Sequence, residues 1–160
     1  AASDVYKRQD RGITVWLKGN RVSRNQIMAI KEESVTDQKN SLTVCLDNIL
    51  RHAGITRNTE YDLAQGKTAI QILEENMTGV QVLDLSGCSL DAVLYYVNQD
   101  IPVLAILEDG EAVLVTGFNE FNVVIMEPST GKLYKKGMND ATTWFAENGN
   151  HFISYMKIDN

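Results

Sequence analysis

The chain has no surplus of positive charge. Its 15 Lys and Arg residues stand against 21 Asp and Glu, a formal net charge of −6 over 160 residues. With no basic surplus to neutralise phosphates, nucleic acid is not expected as a partner. No apolar run approaches the ~20 residues of a membrane-spanning helix, so direct membrane insertion is not expected either. No signal-peptide pattern is visible. Cysteine is scarce: Cys45 and Cys88 are too few for a disulfide scaffold, and spacing alone leaves open whether they pair. Histidine is as scarce, with only His52 and His151, and no Cys/His cluster has metal-ligand spacing. No Gly-rich phosphate loop, no G-x-S-x-G and no internal repeat occurs. No metal and no cofactor are therefore expected.

What remains is an ordinary globular composition, 44% hydrophobic and 22% charged, long enough for one full core. Residues 1–9 (AASDVYKRQ) carry no periodicity and read as a scar of sequence assembly or expression. Residues 13–18 (ITVWLK) alternate as a strand, so 1–35 reads as an N-terminal extension and 36–160 as the main domain. Ser41 or Thr43 can cap a helix running to Ala53, with Leu42, Cys45, Leu46, Ile49, Leu50 and Ala53 on one face. Further helices are predicted over 60–65, 68–76, a stretch capped by Ser89, and a stretch capped by Asn139 or Asp140 and running to Glu147. Short extended pieces are predicted over 80–85, 103–107, 133–135 and 152–158. Two β-branched runs, Ala112–Phe118 and Asn122–Met126, flank a polar turn and predict a hairpin. Both runs are almost continuously apolar, which places the hairpin inside a sheet covered on both faces. Helices first and antiparallel strands second define an α+β class.

The order of these elements resembles the C39-like cysteine peptidases, a branch of the papain-like fold. The resemblance spans Asp37 to Lys157. It is carried by Ile101-Pro102-Val103-Leu104-Ala105, the run from Ala112 to Phe118, Glu127-Pro128 with Gly131, and Thr143-Trp144-Phe145. It implies a nucleophilic cysteine at the start of the first helix, where Cys45 matches. It also implies a preceding oxyanion-holding glutamine, matched by Gln38. The family's base histidine opens the first hairpin strand, where this chain has Glu111, or Gly110 in the adjacent register. The orienting aspartate before the proline is Glu127, and the glycine after the cysteine is Leu46.

A helix N-terminus favours thiolate, which would suit Cys45 as a nucleophile. A carboxylate beside it does the opposite, because its negative charge disfavours ionising a thiol of pKa near 8.5. An imidazolium would stabilise the thiolate and can return the proton; Glu111 could return it only if burial, with Glu127 beside it, raised its pKa substantially. Cys45 also lies on the apolar face of its helix, which is the usual setting of an inert buried thiol. His52 lies two turns along the same helix, near the negative end of its dipole, and His151 reads as rim packing that would reach the cleft only if the last strand lay beside the hairpin. Cys88 precedes the Ser89 cap in a tight Gly87 turn. The preferred expectation is a catalytically degenerate C39-like domain that binds a peptide or protein, as an extracytoplasmic or cell-surface module of a larger bacterial protein. The alternatives are an active cysteine peptidase or amidase with Cys45 as nucleophile, and a purely structural interaction module.

Overall fold

The computed structural model describes residues 26–27 and 40–158. The strand expected over 13–18 and Gln38 lie outside these residues. In chain order the elements are β1 (Gln26–Ile27), α1 (Ser41–His52), α2 (Glu60–Ala64), α3 (Ala69–Asn76), β2 (Val80–Asp84) and α4 (Leu90–Asn98). They continue with β3 (Val103–Ile106), β4 (Ala112–Phe118), β5 (Asn122–Glu127), β6 (Lys132–Gly137), α5 (Met138–Glu147) and β7 (His151–Lys157). The α+β expectation holds: helices lead, and every strand pair is antiparallel.

Helix starts follow local chemistry. The Asn40 side chain accepts the Leu42 N–H at 2.8 Å and opens α1. Thr68 and Gln71 exchange side-chain and backbone bonds in a capping box at α3. Ser89 Oγ accepts the Ala92 N–H to open α4. Helix α5 begins at Met138, ahead of the expected Asn139 or Asp140, because the Met138 N–H is taken by the Phe121 carbonyl.

The sheet runs β2-β7-β3-β4-β5-β6. On β4, β3 pairs with Ala112–Val115, and β1 pairs with Gly117 and Phe118 beyond it. A register shift between Val115 and Gly117 marks a bulge against β5. All seven β4 residues are buried, as the unbroken apolar run predicts. Phe145 of α5 packs against Phe152 of β7 with ring centroids 5.3 Å apart, which places α5 on the Phe152 face.

Helix α1 departs from the one-faced pattern. Residues Thr43 to Leu50 are all buried, so this is a central helix rather than an amphipathic cover, and Ala53 of the expected stripe is exposed. Its polar members are accommodated by hydrogen bonds. Asp47 Oδ1 accepts both the backbone N–H and the hydroxyl of Thr59, each at 2.9 Å. Asn48 donates to the Val44 carbonyl and accepts from Arg51.

Candidate functional site

The resemblance directs attention to one end of the sheet, where the start of α1 meets the starts and ends of the hairpin strands. The residue at the start of α1 is Ser41. Its Oγ accepts the Ala112 N–H at 2.8 Å, across 71 residues of sequence. Ala112 is the first residue of β4. The chain thus joins a helix N-terminus to the opening of the first hairpin strand through a hydroxyl.

Cys45 is the fifth residue of α1, one helical turn and ~6 Å deeper than Ser41 by the rise per residue. The resemblance implied a cysteine at the helix start, and the residues implied a cap at Ser41 or Thr43; the helix here starts at Ser41, behind a cap at Asn40. The difference arises because Asn40 supplies the cap, so the helix starts four residues before the cysteine. At this depth the helix dipole, which acts within the first turn, gives the thiolate little support. Cys45 is 0% exposed. Burial pushes its thiol far above the ordinary value, and the Glu127 charge pushes the same way. The expected activation by a helix N-terminus is therefore absent at Cys45. Cys45 and Cys88 are both free, and Cys88 is partly exposed.

The two carboxylates are placed differently. Glu111 is exposed and stands one residue ahead of β4, in a turn closed by Leu107 N–H to Glu111 O at 2.8 Å. Gly110 takes φ +85° there. Glu127 ends β5 and is half-buried. Its Oε1 accepts both the N–H and the hydroxyl of Ser129 at 3.1 Å, so the carboxylate caps its own turn. Its charge, after burial, also raises the Tyr134 hydroxyl. The structure thus brings Glu127 into electrostatic reach of Cys45 and leaves Glu111 at the solvent-facing rim.

Among the described residues no histidine hydrogen-bonds Cys45. His52 Nε2 lies 3.1 Å from the Asp100 carbonyl, at the far end of α1. His151 begins β7, which is separated from β4 by β3. It shares a row with Ala112, since Ile106 pairs with both. Two strand spacings, ~10 Å, separate them. The His151 ring folds back over Gly149, where an added Cβ would lie 2.8 Å from Nε2 and 3.7 Å from a Glu108 carboxylate oxygen. Rim packing is what the structure gives His151.

Sequence reasoning passed over Ser41 as anything but a cap. The signal was present in Asn40, as strong a cap as Ser41 and stronger than Thr43, which allows the helix to start at residue 41. Thr43 Oγ1 is buried without a hydrogen-bond partner in the same first turn. Among the described residues no group of three or more His, Cys, Asp and Glu is placed to hold a metal ion, and no helix is long and apolar enough to cross a membrane.

The chain has the fold of a C39-like peptidase. A crystal structure of a candidate C39-like peptidase from Bacillus anthracis superposes with a TM-score of 0.67 at 14% identity, covering 84% of this chain and 98% of that one. At this identity the likeness establishes the architecture. No family model and no curated protein matches the sequence.

Proposed function

We propose that this domain is a catalytically degenerate C39-like domain that binds a peptide or protein at the α1–β4–β5 end of the sheet. The observation that carries the reading is the occupancy of that end. A hydroxyl, Ser41, stands at the helix start, tied to the Ala112 backbone, with Glu111 in the turn just ahead of β4 and Glu127 at the end of β5. A hydroxyl needs an adjacent base to become a nucleophile, and a carboxylate is a weaker base than the imidazole that usually fills that role. The only thiol on α1 is fully buried. Two carboxylates suit a cationic side chain of a bound peptide instead. The further assignment to a module of a larger bacterial surface or secreted protein rests on the resemblance alone.

The experiment is a panel of fluorescent random-sequence peptides, followed by polarisation for binding and by mass spectrometry for cleavage. Binding without cleavage, weakened by Glu111→Gln and Glu127→Gln, is the expected result. Cleavage that disappears in Ser41→Ala or Cys45→Ala would overturn the degenerate reading. Failure of the two carboxylate variants to alter binding would overturn the placement of the peptide.

A further inference from the structure

The two edges of the sheet are built differently. Edge strand β6 carries Lys132, Lys135 and Lys136, the usual guard against strand addition. Edge strand β2 reads Val80-Gln81-Val82-Leu83-Asp84, with no lysine, no proline and an unbroken register along β7. Among the described residues nothing pairs with its outer side.

The register shows which groups face outward. Gly79 O accepts from Ile158 N, and Leu85 N donates to Phe152 O, so odd-numbered residues bond inward to β7. In an antiparallel ladder the N–H and C=O of one residue point the same way. Val80, Val82 and Asp84 therefore present their backbone donors and acceptors at the free edge.

We infer that β2 is a self-association edge that pairs antiparallel with β2 of a second copy, about a two-fold axis at Val82. Only an even-numbered residue can sit on that axis in a hydrogen-bonded pair, and Val82 gives the fullest overlap. Val82 then bonds its own counterpart, and Val80 bonds Asp84 of the other copy.

The side chains fit this register. Lys157 shares a row and a face with Val80, so in the pair it lies on the same face as Asp84 of the second copy, two strands away. Both are exposed, and a lysine stem can reach across the valine between them. The symmetry makes this charge match twice. On the opposite face Met156 is 43% exposed and adjoins Gln81, whose neighbour in the pair is Leu83 of the second copy. Ile158, 50% exposed, lies beside Gly79, which has open space where a Cβ would be. Ile158 can therefore pack across Gly79 onto Leu85 of the other copy. The pairing covers two of the exposed large hydrophobic residues on the described surface. An edge of five residues makes a weak, concentration-dependent dimer.

Sedimentation equilibrium of the full chain over a concentration series tests this. Wild type is expected to dimerise as concentration rises. Val82→Pro removes one outward N–H and leaves the β7 ladder intact, a position where an edge strand tolerates proline. It is expected to be monomeric with an unchanged far-UV spectrum. Asp84→Lys, which sets like charges face to face, is expected to weaken the dimer roughly tenfold, and Asp84→Lys with Lys157→Asp to restore it. A chain that stays monomeric to its solubility limit would overturn the inference. So would a dimer unaffected by Val82→Pro, or a charge swap that fails to rescue while both variants remain folded.

Discussion

Iodoacetamide added to the folded chain at neutral pH is expected to modify Cys88 and spare Cys45. The perturbation compares two thiols in one molecule, one partly exposed and one with no exposed surface. Reagent can reach Cys45 only when α1 leaves the core, because every residue from Thr43 to Leu50 is buried. If opening costs even ~5 kcal/mol, the lower end of domain stabilities, labelling of Cys45 slows by roughly 5,000-fold relative to an unfolded thiol. Burial and the Glu127 charge also hold the thiol protonated, which slows it further. The assay is a time course of isotope-coded labelling read by peptide mass spectrometry, at pH 6 and pH 8, with a denatured control in which both thiols react. Modification of Cys45 at pH 6 as fast as Cys88 in the folded chain would refute the reasoning. It would mean an accessible thiolate, which is the mark of a working nucleophile and not of a packed core residue.

Further outcomes follow from the same packing. Asp47→Ala strips the acceptor from two buried Thr59 donors and is expected to lower stability by about 3 kcal/mol, read by urea unfolding. The buried thiol's contribution to stability is expected to be fully present well below the ordinary thiol pKa, about 8.5, and to fall as pH rises through and past it, because the unfolded thiol ionises there and the folded one does not. Tyr155 adds a loss of the same sign, since burial and then Asp100 raise its hydroxyl. The Cys45→Ala variant should lose less stability between pH 9 and pH 10 than wild type, and an equal loss would count against the buried thiol as the source. Gly149→Ala forces a Cβ to 2.8 Å from the His151 ring at φ +90°, so a fall of about 1–3 kcal/mol is expected by thermal melting.

Much of the fold was legible because its signals are local. The Thr68 box, the Ser89 cap and the runs 112–118 and 122–126 each specify their element within a few residues. The start of α5 was not, since it depends on a bond from Met138 to Phe121 on the hairpin turn. The site was legible only as a neighbourhood. Glu127 and Cys45 do come within electrostatic reach, but the cap lies at Asn40 and not at Ser41 or Thr43, so Cys45 sits a full turn inside the helix and not at its start as the resemblance implied. Nor could periodicity show that α1 is buried on all sides, since Asp47 and Asn48 read as solvent positions until their partners at Thr59, Val44 and Arg51 are known.

The position of β7 between β2 and β3 has a consequence for biosynthesis. β2 ends at Asp84 and β3 at Ile106, yet the strand that joins them is Leu104's and Leu83's shared neighbour, His151–Lys157. While the ribosome is still making the helix before it, both strands wait without their common partner. The sheet can close only after that last segment leaves the exit tunnel, so nascent chains stalled before residue 151 should remain protease-sensitive at β2 while released chains do not.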